Sequence, residues 1–355
     1  MTPELIPAEI HETPAAIRST LEETRADAAA AAAAMRMRGV RRIYLIGNGT
    51  SLYSSLAATY TARLLAGEDD PLVIAMPAGD FRHFTPYLNP QDIVVGVSAS
   101  GEFRDVLSVF NRICDRCLRI GITHVPDSSI TRLADYILLT SGGPSQVPVM
   151  TKTYASTLTA IHLLLLEFFE ASPEYFTDLG KSAERCADAI ETAEERVPGI
   201  VAELKDYQHA FYFGAGNAYA AALESALKMK EMALLHAEGS ETWEMATGPA
   251  TLVGPGCFCT ALYSGHVRDD DTAGNARLYH EWGARLIEIG PQAYASGDWH
   301  LPVEASVYDS FASLALVPPA ALLAYRMARA RGQTPDTPTW RERYYAQGFK
   351  HILGA

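Results

Sequence analysis

Apolar and polar positions along this chain follow two periods, and the switches between them mark its elements. Thr13 before Pro14 reads as an N-cap with proline at the first helical position, and it opens a helix that carries the alanines Ala28 to Ala34 and closes at Gly39. Alanine is the best helix former, so that run needs no functional explanation. RRIYLIGNGTS then shortens the period to that of a strand and ends in glycines, after which LYSSLAATYTARLLAG returns to helical spacing. The order repeats: IVVGVS (93–98) leads into ASGEFRDVLSVFNRI, and LRIGIT (118–123) into a polar loop. DYILLTS (135–141) follows, then a long helix from about Lys152 to Ala171. Short strands alternating with helices predict a parallel sheet covered on both faces.

Beyond a charged helix around Glu184 to Glu195, HAFYFGAGNAYAAALESALKM restates the plan of RRIYLIGNGTSLYSSLAATYT. Gly47 and Gly49 align with Gly214 and Gly216 at a common offset of 167 residues. CFCTALYS and RLIEIG read as two further strands. The expectation is an α/β protein made of two tandem doubly wound parallel-sheet sandwiches, an internal duplication. Its parts would be an N-terminal arm and helix at 1–39, a first domain at 40–195, and a second at 196–355 with a C-terminal tail.

The stretch ALESALKMKEMALLHAE, 222–238, reads as one helix with a charged edge. Glu224, Lys228 and Glu231 stand at i, i+4 and i+7, beside an apolar stripe of Leu223, Leu227 and Leu234. Its simplest reading is a solvated face, with a Glu224–Lys228 pair contributing about 0.2–0.5 kcal/mol. Its other reading is a site.

Composition narrows the classes. Of the 355 residues 48% are hydrophobic and 20% charged, which is a globular balance. The net charge of −13, with no dense Lys/Arg run, predicts no nucleic-acid partner. Neither a signal-like N-terminus nor an apolar run of membrane-spanning length is found, so no membrane partner and a cytoplasmic location are expected. The five cysteines include one CxxC, Cys114 and Cys117, with no second pair or histidines at ligand spacing. Structural thiols rather than a metal site are expected there and at Cys257 and Cys259, and no cofactor.

An anionic ligand would therefore be small and held locally. In an open parallel sheet it would lie beyond the carboxyl ends of the strands, at helix N-termini. GNGTS places Thr50 and Ser51 there, and SASGE places Ser98 and Ser100 at the next such turn. Serine and glycine are also what any tight turn uses, but two hydroxyl-rich turns at equivalent places make a phosphate cradle. Neither turn is GxGxxG or GxxxxGK[ST], which argues against dinucleotide and P-loop readings.

EIHETP, GNGTS, SASGE, ITHVPDSSI, VPVMTKTY, ALESALKMKE, HAE and TGP, in this order, span nearly the whole chain. Together they resemble the sugar isomerase (SIS) domain family, specifically the tandem-SIS isomerase half of glucosamine-6-phosphate synthase and the related aminosugar-phosphate deaminases and deglycases. The resemblance implies that Thr50, Ser51, Ser98 and Ser100 bind phosphate and that Thr151 lies in the loop lining the sugar. It implies that Glu231 moves the proton between C1 and C2 of the open-chain sugar, that Lys228 assists, and that Lys350 is the tail lysine near the sugar. A homodimer is implied as well. The chemistry is reasonable, because aldose–ketose interconversion needs a base at an acidic carbon, for which a buried carboxylate of raised pKa would serve, and a cation for the developing enediolate.

Three positions depart from the family pattern. Thr247 stands where a ring-opening histidine is usual; His236, read as a helix-end residue, is a poor substitute. Ala99 and Phe103 replace a glutamine and a threonine of the phosphate loop, and the letters around Lys350 differ. The chain also begins Met1-Thr2-Pro3 directly before this region, so no glutaminase activity is expected of it. The expected function is an aminosugar-phosphate deaminase or isomerase, or a fructosamine-phosphate deglycase. The alternatives are a non-catalytic sugar-phosphate sensor, which Thr247 would suit, and an isomerase of unaminated sugar phosphates.

Overall fold

The computed structural model describes residues 4–143, 145–266, 268–337, 347–348 and 350–353. These described residues form two compact units, one drawn from within 15–145, 152–180 and 347–353, the other from within 4–14, 146–151 and 181–337. The helices in chain order are α1 (Leu5–His11), α2 (Thr13–Glu23), α3 (Arg25–Arg36), α4 (Thr50–Leu65), α5 (Ala78–Phe84), α6 (Arg104–Arg112) and α7 (Ser129–Leu133). There follow α8 (Lys152–Phe168), α9 (Pro173–Leu204), α10 (Asn217–Ala233), α11 (Thr242–Thr247), α12 (Asp269–Glu281), α13 (Ser313–Ala330) and α14 (Lys350–Leu353).

The first unit holds a five-stranded sheet of β1 (Arg42–Gly47), β2 (Leu72–Pro77), β3 (Asp92–Val97), β4 (Leu118–Thr123) and β5 (Tyr136–Leu139). They are ordered β2-β1-β3-β4-β5 and all parallel. β3 is buried along its whole length, as the run DIVVGV requires of a strand with helices on both faces. The N-terminal segment is three helices rather than one. Between α2 and α3, the Thr24 hydroxyl donates to the Leu139 carbonyl, while that of Thr20 donates to Ser141, tying the bend to the end of β5.

The second unit repeats the plan with β6 (His209–Gly214), β7 (His236–Glu241), β8 (Cys257–Leu262), β9 (Arg285–Gly290) and β10 (Trp299–Pro302). Their order is β7-β6-β8-β9-β10, again parallel, which repeats the strand order of the first sheet. The duplication reaches the backbone torsions. Gly49 sits at φ 55, ψ −128 and Gly216 at φ 59, ψ −130, a region open in practice only to glycine. A Cβ on Gly47 would meet that of Ser51 at 2.7 Å, and one on Gly214 that of Ala218 at 2.9 Å, so each strand runs hard against the helix it feeds.

The helix expected at 222–238 stops earlier. α10 ends at Ala233, Leu234 turns left-handed at φ 53, and His236 is the first residue of β7, so it is a strand residue and not a helix-end one. β7 returns against α10, where a Cβ on Gly239 would meet the Leu223 Cα at 2.8 Å. α13 packs on the same helix. The stretch Asp309–Ala330 is apolar and long enough to cross a bilayer, yet 94% of its most apolar window is buried here, as a core helix. Cys114 and Cys117 lie just past α6 rather than within it, while Cys257 and Cys259 are buried in β8; all are free thiols.

Candidate active site

In the first unit, β1 and β3 are neighbours paired Arg42 to Asp92 through Ile46 to Gly96, so the turns that follow them open side by side at the carboxyl edge of the sheet. Thr50 and Ser51 are the buried first residues of α4, behind Gly49. Ser98 follows β3 directly. Its backbone N–H donates to Ile122 and its carbonyl accepts from Gly101. Ser98 is 1% exposed as a residue, and its hydroxyl has no hydrogen-bond partner among the described residues. A buried hydroxyl without a partner is costly, and a ligand oxygen is one way to satisfy it.

The acidic residue in this turn is turned aside. Glu102 accepts the Ser129 N–H at 2.7 Å, which anchors the turn to α7; hydrogen bonding from the Ser129 side chain, and less from its backbone, holds the carboxyl below the usual range against the effect of burial. Ser100 accepts the N–H of Glu102 at 3.2 Å. Where the family pattern has glutamine, the Ala99 carbonyl accepts the Thr123 hydroxyl and the His124 N–H. Phe103 packs partly buried on the core of the first sheet.

His124 carried no expected role, although a histidine directly after a strand end was a readable signal. Its Nδ1 meets the Thr140 hydroxyl, and burial pushes its pKa down to about 4, against hydrogen bonding to the backbone of Thr140 and Thr153, which raises it. The ring is therefore neutral near pH 7 and braces the strand ends under the SASGE turn.

The equivalent place in the second unit is already filled. The Asp269 carboxylate, at the start of α12, accepts the successive N–H groups of Ser264, Gly265 and His266 at 3.2, 2.6 and 3.2 Å. Beside it the Arg268 guanidinium lies over Gly216 and pairs with Asp309. The backbone N–H groups of this turn are thus taken up by the unit's own carboxylate.

α10 carries the charged edge, and it is not a solvated face. Glu224 is 0% exposed and Lys228 is 1% exposed, with Nζ 3.1 Å from Glu224 Oε1 and 2.6 Å from Glu231 Oε2. Burial would lower the lysine's pKa, but the two carboxylates outweigh it and push it up to about 12. The ammonium is thus held charged between a buried carboxylate and Glu231, whose side chain is 35% exposed. The buried carboxylate expected of the base Glu231 is not found there: Glu231 is the partly exposed member of the set, and the carboxylate closed to water is Glu224.

The remaining positions are plainly placed. Thr151 is buried, and its hydroxyl has no hydrogen-bond partner among the described residues. Thr247 ends α11 with its hydroxyl donating back to Glu244, and so acts as a helix-end residue. His236 is exposed, its ring edge-on to His209. Lys350 is exposed at the start of α14, and no hydrogen bond or ion pair joins it to another candidate residue among those described. No cluster of three or more metal-type ligands is found among the described residues.

Residues 36–167 match the SIS domain family. The chain is 32% identical over 334 residues to the glutamine–fructose-6-phosphate aminotransferase (isomerizing) of Methanothermobacter thermautotrophicus, a match covering 93% of this chain and 55% of the relative. It therefore spans about half the length of that protein. Among solved structures it is similar to the C-terminal domain of glucosamine-fructose-6-phosphate aminotransferase from Francisella tularensis, with a TM-score of 0.85, 23% identity, and coverage of 95% of this chain and 99% of that one. It is also similar to glucosamine-6-phosphate deaminase from Thermotoga maritima, with a TM-score of 0.75, 22% identity, and coverage of 94% and 97%. These likenesses identify the chain as far as they reach: residues 36–167 are a SIS domain, and the two parallel sheets have the fold of the solved structures it resembles.

Proposed function

We propose that this protein is a phosphosugar-processing enzyme of the aldose–ketose isomerase and deaminase type, acting on an aminosugar phosphate or on an amine adduct of a sugar phosphate. The observation that carries the reading is the Glu224–Lys228–Glu231 set, in which a buried ammonium is fixed beside one accessible carboxylate. A surface ion pair has no need of a second, fully buried acid. A site that must keep a cation in place while a neighbouring carboxylate exchanges a proton does.

In this reading Glu231 takes the proton from the carbon beside the carbonyl or imine and returns it to the adjacent carbon. The intermediate is an enediolate or enamine whose charge Lys228 offsets. Thr50, Ser51, Ser98 and Ser100 hold the phosphate, which lies away from the reacting carbons and supplies orientation. Thr151 faces the sugar. The unpartnered Ser98 hydroxyl supports the phosphate assignment, and the carboxylate-filled turn of the second unit supports placing that phosphate in the first. Lys350 is retained as the tail lysine by resemblance alone. The proposal includes a cytoplasmic homodimer, to be checked by sedimentation and fractionation.

The test is amine release and isomerisation across glucosamine 6-phosphate, fructosamine 6-phosphate and fructose 6-phosphate. Glu231→Gln should lower kcat by roughly 10²–10⁴ while sugar-phosphate binding survives. Equal loss of both would make Glu231 structural. A second reading, a sugar-phosphate sensor, is favoured by Thr247, whose hydroxyl is turned back into its own helix where the family pattern has a histidine. Binding across the panel without turnover would establish it.

A further inference from the structure

The motif EIHETP found no use in the proposed chemistry, yet its first residue is one of the few charged side chains shut off from water. Glu9 is 4% exposed on α1, and its carboxylate accepts the backbone N–H of Gln146. A charged group is buried at considerable cost unless its hydrogen bonds are met. Here it is met by the loop that ends in Thr151.

The helix holding Glu9 is itself firmly seated. Ile6 and Ile10 are buried, the Ile6 N–H donates to Asp336 Oδ1 at 2.9 Å, and Tyr325 donates to the other oxygen of Asp336 at 2.8 Å. One residue on, Arg326 pairs with Glu4 at 2.8 Å. Tyr325 and Arg326 belong to α13, which packs on α10, the helix of Lys228 and Glu231. A continuous path inside one compact unit thus runs from the proton-transfer helix through α13 and α1 to residues 146–151. The loop is fixed at one end by Glu9 and in its middle by buried Val149, and the Thr151 hydroxyl beyond them has no hydrogen-bond partner among the described residues.

We propose that Glu9 is a positioning residue for the loop Gln146–Thr151, and that through this loop it sets recognition of the sugar part of a hexose phosphate. This rests on the reading of Thr151 as the sugar-facing hydroxyl. The phosphate donors lie on other loops, so Glu9 governs the affinity a sugar adds to phosphate and not the affinity for phosphate itself.

The experiment compares inorganic phosphate with fructose 6-phosphate by calorimetry on the wild-type, Glu9→Gln and Glu9→Ala proteins, with amide exchange at 146–151. Inorganic phosphate should bind all three equally. The extra affinity for fructose 6-phosphate should fall by about tenfold or more in Glu9→Ala, the scale of one lost charge-assisted contact. It should fall less in Glu9→Gln, which keeps one acceptor oxygen, and the Gln146 amide should exchange faster in both. Glu9→Gln is near-isosteric and decides the matter if the alanine variant does not fold. Equal weakening of both ligands, or no change in either, overturns the role of Glu9. A wild-type protein that binds fructose 6-phosphate no tighter than phosphate instead overturns the reading of Thr151, and the proposal falls with it.

Discussion

Glu224 and Lys228, four residues apart on α10, form an ion pair at 3.1 Å with both side chains closed to water. Removing Glu224 leaves the buried Lys228 ammonium with Glu231, at 2.6 Å, as its remaining carboxylate, and losing one partner of a buried charge costs more than that pair contributes while intact. Glu224→Ala should therefore destabilise the protein by roughly 1.5–3 kcal/mol in urea unfolding, the scale of one lost hydrogen bond to a charged group. Glu231→Gln, at a position in contact with water, should stay within about 1 kcal/mol of wild type. Comparable small effects at both sites would show that the lysine does not depend on Glu224.

Ser98 presents the opposite case, since its hydroxyl gains nothing from the free protein. Loss of this group, together with the Ser100 hydroxyl, should leave the melting temperature of the unliganded protein nearly unchanged. It should weaken sugar-phosphate binding by roughly 10–100-fold, the range of one or two hydrogen bonds to a charged group. Titration calorimetry and thermal melts of the Ser98→Ala/Ser100→Ala protein give both readings. A large fall in melting temperature with binding intact would place the phosphate elsewhere.

The sequence was readable where a strand is buried on both sides and ends in glycine. β1, β3, β4, β6, β8 and β9 lie inside their sheets, and their runs of branched and aromatic residues stand out without any partner in view. Three edge strands did not stand out. β2, β7 and β10 each pair with a single neighbour, and HAEGSE has the composition of a loop; it becomes a strand because Gly239 lets it approach α10 and β6 accepts its hydrogen bonds. At the site, spacing alone put Glu224, Lys228 and Glu231 on one face but could not tell a wet face from a buried one. What closes it is α13 packing on α10, from a part of the chain some ninety residues away.

Asp269 offers a test of the duplication. Its carboxylate holds three consecutive backbone N–H groups while itself buried, and burial keeps its pKa above the usual carboxylate range. Asp269→Ala should destabilise the protein by roughly 2–3 kcal/mol by leaving those donors unmet. If the turn is a true counterpart of SASGE, inorganic phosphate should restore part of the lost melting temperature. Phosphate should do so even when Ser98 and Ser100 are also alanine. A variant that phosphate fails to rescue would show the turn to be a helix cap without anion-binding geometry.

His162 sets an acid limit on the first unit. It lies on α8, is wholly buried, and has Nδ1 2.9 Å from the Thr61 hydroxyl; burial pushes its pKa down to about 3. Unfolded, the same ring titrates near 6.5, so between those two values the unfolded chain binds a proton that the folded one refuses. Stability from this group is complete above pH 6.5 and is lost as pH falls, by about 1.4 kcal/mol per unit for a single histidine. His124, with a folded value of about 4, adds to the slope over most of the same window. Most carboxylates titrate lower, so urea unfolding between pH 7.5 and 5 isolates the histidines. The wild-type protein should lose stability over that interval and His162→Gln should lose distinctly less; parallel loss in the two proteins would mean that His162 accepts its proton without leaving the core.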